Sequence, residues 1–530
     1  MINNIVVVGG GSSGWMTAAT LIKAFPEKNI TVIESKDVPT VGVGESTLGF
    51  IRRWTRFIEL DEDDFFKYTD ASYKLSIKFT DFYKKDSGGF HYPFGSPYMD
   101  YDRNSYDDWF LKKYIYPDTP VQDFVRTMFP GAALFENNRF SLNTYGELDN
   151  FDTKTDVAYH FDATKFGNWL RDRYCLPKGV KKVESTVEEI KVDEDGIKFL
   201  VLDNGALLDA DLYIDCTGFK SLLLGKALNE PFESFSNILP NNHAWATHLP
   251  YKNKDVELEG FTNSTAIQNG WVWNIPLWSR IGTGYVYSDR FISHEDALKE
   301  FKNHLTSNKM LIQRYKHEIE ELEFKHIKMN VGIHKRTFVK NVVAIGLAAG
   351  FIEPLESNGL YSVHEFLFRL VDILQRNKIN QFDRYMYNSV VRSIFDSFAN
   401  FVSLHYAMSH RDDTEYWRDI QNRPFGDDLS HMHKNYSKEV KTFFNNGFRY
   451  LESWSYDRSS IDGTIFISTG MNINMMNNAR ARELEFMNNV NIKQIVDDLT
   501  PAWEYRKAKW NNHAMQSPLL SEYLLKRFYE

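Results

Sequence analysis

The 530-residue chain is 43 % apolar and carries a net charge of −9. That suits a globular protein of roughly two or three domain-sized units and argues against a general nucleic-acid binder. Two cysteines, Cys175 and Cys216, leave no disulfide framework or cysteine-rich zinc site; with no signal-peptide pattern and no apolar run long enough to span a bilayer, the expected compartment is the cytoplasm.

The chain opens on Ile5-Val6-Val7-Val8, a continuous apolar run of the kind a buried parallel strand shows. Gly9, Gly11 and Gly14 then give G-x-G-x-x-G, with Ser12 and Ser13 inside it, and Trp15, Ala18, Ala19, Ile22 and Phe25 carry a helical period. A second strand, Ile30 to Ile33, ends in Glu34, about 20 residues past the last glycine. Strand, glycines, helix and acidic residue together predict a Rossmann-like dinucleotide site: the helix N-terminus takes the pyrophosphate and Glu34 accepts from ribose hydroxyls. The next loop, Val43-Gly44-Glu45-Ser46-Thr47, reads as a backbone strap against a large cofactor, or as a plain Gly-rich turn. A late strand, Asp211 to Phe219, ends in Thr217-Gly218 and favours FAD over NAD.

Ala71 to Phe79 alternates as a strand with Lys74, Ser76 and Lys78 on one face. A strand lysine is ordinarily solvated; held in a covered site, its ammonium becomes a directed donor. Residues 85–107 predict a long Gly-, Pro- and aromatic-rich loop that includes His91 and Phe94. Asp162 reads as the N-cap of a helix over Ala163 to Arg173, with His160 structural. In Gly270-Trp271-Val272-Trp273-Asn274-Ile275-Pro276, alternation sets Trp271 and Trp273 on one face, as a dry wall or a core pair. Val342 to Ile345 predicts another strand, followed by a small-residue turn from Gly346 to Gly350 and then Glu353-Pro354-Leu355-Glu356-Ser357-Asn358-Gly359. Leu360, Val363, Phe366, Leu367, Leu370, Ile373 and Leu374 continue as one helical face, which leaves the N–H groups of Ser357, Asn358 and Gly359 at a helix N-terminus that favours anions.

The glycine fingerprint, Ser72-Tyr73-Lys74, the G-W-x-W-x-I-P run and Glu353 to Gly359, in this order, resemble the flavin-dependent tryptophan halogenases across roughly residues 1–420. The resemblance implies an α/β fold, with an FAD-binding Rossmann-like core over 1–385 carrying a mixed sheet and an insertion at about 85–155. A mainly helical substrate-binding region would fill 386–530. It implies reduced FAD, cradled by the first glycine unit, the strap, Gly346 and Leu355, and a halide (chloride, bromide or iodide) held by the backbone of Asn358 and Gly359. Hypohalous acid would then pass to Lys74, with Glu356 as its catalytic partner. Trp271, Trp273, Ile275 and Pro276 would wall the route and bar an organic substrate from the flavin. His91, Phe94, Glu439, Phe443 and Phe444 would hold the substrate. The family usually has Thr where this chain has Asn358, and the paired tyrosines expected before Glu439 are replaced by Met432 and His433, so an indole-type arene is implied rather than specifically free tryptophan. A separate flavin reductase would supply the reduced flavin, and neither nucleic acid nor membrane is expected as a partner; self-association is compatible with the family. The competing readings are a single-component flavin-dependent aromatic monooxygenase and a non-catalytic flavoprotein.

Overall fold

The computed structural model describes residues 2–36, 42, 44–99, 106–142, 144, 146–376, 378–423, 465–474, 476, 478–488 and 491–530. The chain resolves into two compact units, each assembled from three separate segments. The first takes Met1–Ala71, Tyr159–His243 and Ile327–Ala399; the second takes Ser72–Ala158, Ala244–His326 and Asn400–Glu530. The segments interleave because strands far apart in sequence pair side by side.

In the first unit the central sheet runs Phe338–Val339, Val342–Ala344, Leu212–Asp215, Asn4–Val8, Asn29–Glu34, Lys181–Glu184. All neighbours are parallel except the first pair. The apolar runs predicted as buried strands are those strands, and Ile5, Val7, Val32, Ile214 and Val343 are at most 2 % exposed at its centre. Helix Ser12–Ala24 follows the first strand directly. Asp162 caps the helix from Ala163 as expected, accepting from the backbone N–H of Thr164 and Lys165 at 3.0 and 2.9 Å. His160 is completely buried, in keeping with a structural role.

The second unit is built on a seven-stranded sheet ordered Lys325–Lys328, His243–Leu249, Ile281–Tyr287, Gly270–Pro276, Phe261–Ala266, Ser76–Thr80, Gly89–Pro93. Two expectations change here. The single strand expected over 71–79 is two, Ser72–Lys74 and Ser76–Thr80, separated at Leu75. The long loop expected over 85–107 contains the strand Gly89–Pro93, antiparallel to Ser76–Thr80. Its aromatics pack rather than line an open surface: Tyr92 meets Phe401 and Phe466 at 6.1 and 5.1 Å, and Phe90 meets Phe79 at 5.4 Å. Helices Gln381–Ala407, Asn478–Asn488 and Ile492–Gln516 bear out the helical reading of the C-terminal region. No helix among the described residues is long and apolar enough to cross a membrane.

Candidate functional site

In the first unit the glycine turn is closed by contacts that no side chain would allow. A Cβ on Gly14 would stand 1.8 Å from the Gly9 carbonyl oxygen, and one on Gly9, whose φ is +117°, would stand 2.3 Å from the Cys216 carbonyl oxygen. The turn therefore packs helix against strand as the fingerprint requires. Gly10, which the fingerprint does not specify, is equally constrained: its Cβ would meet the Glu34 side chain at 2.3 Å. Gly11 caps the helix with no side-chain hydrogen bond, leaving the leading N–H groups for an anion. Glu34 ends its strand between Arg171 and Lys182, 3.3 and 3.4 Å away. Ser12 is committed to the fold through a 2.8 Å bond to the Ala163 carbonyl, whereas Ser13 Oγ stands 2.3 Å from where a Cβ on Gly346 would lie. Gly346 adopts φ +67°, so the small-residue turn is pressed against the start of the nucleotide helix. These residues fit a dinucleotide such as FAD.

The strap and the Glu353–Gly359 turn meet in the same unit. Glu45, Ser46 and Thr47 are buried, Gly44 is exposed, and Val43 lies outside the described residues. Thr47 Oγ1 donates to the Tyr159 carbonyl at 2.8 Å, and Ser357 Oγ donates to Ser46 Oγ at 3.0 Å. The turn is a 3₁₀ segment, Pro354–Glu356, followed by Ser357 in the left-handed region at φ +57° and then helix Gly359–Leu374. Ser357 N–H is already used, donating to the Pro354 carbonyl at 3.0 Å, so the open N–H groups expected at 357–359 reduce to those of Asn358 and Gly359. Leu355 and Glu356 are completely buried. The buried Glu353 carboxylate accepts from Asn241 Nδ2 at 2.6 Å. Asn358 supplies no cap, and its buried Oδ1 has no hydrogen-bond partner among the described residues.

In the second unit Lys74 is completely buried, its ammonium 5.2 Å from the centre of the Phe94 ring. A dry cation is costly unless electron-rich groups face it, and an aromatic face is one such group. Lys78 differs: it is partly exposed, over Phe261 at 5.6 Å, and opposite His91 in the strand pairing. His91, expected with Phe94 on the substrate wall, is buried and packed among aromatic rings. It stacks on Phe135 at 4.6 Å, meets Phe261 edge-on at 4.9 Å and shares a 3.0 Å hydrogen bond with Ser76 Oγ. Burial, then the charge of Lys78, holds its imidazole well below the usual range and neutral. Strand alternation sets Tyr92 on the face opposite His91, and its ring meets Phe94 at 6.5 Å. Tyr92 was not singled out by sequence reasoning; the period-two pattern from Phe94 would have found it.

Trp271 and Trp273 share a face, 0 % and 7 % exposed, with ring centres 6.2 Å apart. Their strand pairs with Ile281–Tyr287 so that Trp273 lies opposite Gly284. A Cβ at Gly284 would come within 2.2 Å of the indole, so the glycine makes the seat for that ring. Ile275 is buried beside them, and the Pro276 carbonyl accepts from Ser72 Oγ at 2.7 Å, tying the strand end to the segment that carries Lys74. Glu439, Phe443 and Phe444 lie outside the described residues.

A sequence model of the tryptophan halogenase family matches residues 4–461. The chain is 35 % identical over 452 residues to the tryptophan 6-halogenase SttH of Streptomyces toxytricini, covering 81 % of this chain and 82 % of that one. It is 32 % identical over 486 residues to the tryptophan 7-halogenase RebH of Lentzea aerocolonigenes, covering 85 % and 88 %. Among solved structures, apo VirX1 superposes with a TM-score of 0.89 at 35 % identity over 100 % of both chains. The SttH crystal structure gives 0.83 at 30 % identity over 98 % and 99 %.

Proposed function

The chain belongs to the flavin-dependent tryptophan halogenase family, and on that premise we propose that Lys74 directs hypohalous acid onto a carbon of an electron-rich, indole-type arene. As a member of that family it is an enzyme, a flavin-dependent halogenase. Reduced FAD, when bound, supplies with O₂ the two-electron oxidation that converts a halide to hypohalous acid.

The observation that carries this reading is the complete burial of Lys74 against an aromatic face. There its N–H groups donate to the hypohalous acid oxygen or halogenate at nitrogen, and either arrangement makes the halogen more electrophilic while bulk water is kept out. Glu356, also fully buried, takes the proton that the arene loses or steadies the cationic ring before it leaves. The backbone N–H groups of Asn358 and Gly359, at the start of helix Gly359–Leu374, hold the halide. Gly9 to Gly14, Glu34, the strap and Gly346 bind FAD, and Trp271 with Trp273 keeps organic substrate from it. Phe94 and Tyr92 supply the aromatic surface beside Lys74, with Glu439, Phe443 and Phe444 completing the substrate pocket. A separate flavin reductase delivers the reduced cofactor.

The test incubates an indole panel with a flavin reductase, FAD, NADH, O₂ and single halides, read by mass spectrometry. Lys74→Ala should lower halogenated product by about 10²-fold or more while FAD affinity is unchanged. Full halogenation by that variant, or hydroxylated product formed without halide, overturns the proposal.

A further inference from the structure

Away from the halogenation chemistry, the second unit carries two histidines whose rings face one another at the end of its large sheet. We infer that His294 and His326, backed by Tyr287, form a binding site for a borderline-soft divalent cation of the zinc class. His294 opens helix His294–Leu305, and His326 sits in strand Lys325–Lys328. Their ring centres are 4.6 Å apart, and donor nitrogens of the two lie within 4.8 Å of each other. Two imidazoles that close can share one ion at ordinary zinc–nitrogen distances of about 2.0–2.1 Å.

Both rings are held in place before any ion arrives. The Tyr287 hydroxyl is 2.9 Å from His294 Nδ1 and 3.3 Å from His326 Nε2. The Trp245 ring packs on His326 at 4.8 Å, and its indole N–H donates to the His294 carbonyl at 3.0 Å. This is the outer layer that a metal-binding histidine needs: groups that fix ring orientation and tautomer. Tyr287 is completely buried, His294 half-buried and His326 exposed, so the pair is rigid beneath and open to solvent above.

Metal binding needs both imidazoles neutral. Glu295 and Asp296, in its first turn, offset the positive end of the helix that His294 begins. An ion here would clip the helix to the strand across the connection 306–324.

The experiment uses the full chain without an affinity tag, stripped with a chelator and titrated with zinc alone by calorimetry. The expected result is one site that His326→Ala and His294→Ala each weaken by about tenfold or more, while His317→Ala, on an exposed neighbouring residue, leaves it intact. Zinc should also raise the melting temperature of the parent chain but not of the His326 variant. His326→Gln serves as a second variant should either alanine change disturb folding. No saturable zinc binding in the parent chain, or binding unchanged by all three histidine variants at 294 and 326, overturns the inference.

Discussion

Asn358 stands where a helix usually takes a capping side chain, yet it caps nothing, and its buried Oδ1 is unmatched among the described residues. A buried amide left without a partner costs about 1–3 kcal/mol, a cost that persists at a functional position when a ligand completes the set. Either end of the amide can face the open N–H groups, since oxygen and nitrogen are assigned from their surroundings. Asn358→Ser should therefore shift the ratio of brominated to chlorinated product several-fold, about 1 kcal/mol, in competition assays with both halides, leaving FAD affinity alone. An unchanged ratio would place halide choice in the backbone only. Gly284 makes the complementary point. Its methyl would collide with Trp273, so Gly284→Ala should cost about 1–3 kcal/mol in urea unfolding. The roles given to Lys74, Glu356 and the tryptophan pair rest on a family resemblance that short local motifs carry. Gly10, Gly284 and Tyr92 were not legible in the sequence, because what constrains them is a neighbour across a turn or a strand that the sequence does not place beside them.

At the level of elements, the first strand–turn–helix–strand unit matched its reading throughout, since apolar runs, glycine spacing and the terminal acid all point one way. Gly14→Ala should abolish FAD binding, or weaken it by more than about tenfold, because the added methyl and the Gly9 carbonyl cannot both stay where they are. Flavin fluorescence quenching reads this directly. The segment around Lys74 was harder. Its alternation predicts one strand, but the run breaks at Leu75, whose N–H donates to the Gly260 carbonyl at 2.7 Å and whose carbonyl accepts from Phe94 at 2.9 Å. Those two bonds bring Phe94 to the lysine, and both partners are remote in sequence from a pattern-based view. The loop over 85–107 misled for a related reason: Gly88, Gly89, Pro93 and Gly95 are turn formers, yet the five residues between the turns pair fully with Ser76–Thr80. Glycine and proline marked the ends of a short strand rather than its absence.

Taken as a whole molecule, the negatively charged chain holds carboxyls whose environment opposes ionisation, Glu259 among them. Burial, with Glu257 adding to it and Lys78 partly offsetting it, raises Glu259 from 4.5 to about 7. Between those values the folded chain keeps a proton that the unfolded chain has released, so stability falls as pH rises through that window and stays reduced above it. Glu259→Gln should then stabilise the protein at pH 8, by up to about 3 kcal/mol, and leave it unchanged at pH 4. Equal urea midpoints for both proteins at pH 8 would refute the assignment. The interleaving of the two units has its own consequence, which concerns how the protein is made. Strand Asn4–Val8 leaves the ribosome early, but one neighbour in its sheet is Leu212–Asp215, whose own partner, Val342–Ala344, comes later still. Neither unit can close until at least 399 residues have been synthesised, because the first unit needs its last segment and the second ends with the chain. Until Leu212–Asp215 emerges, one edge of strand Asn4–Val8 waits for its partner, a state exposed to aggregation and dependent on chaperones. Slower translation or a chaperone-rich host should raise the soluble yield, and no contiguous fragment of the chain should replace either unit.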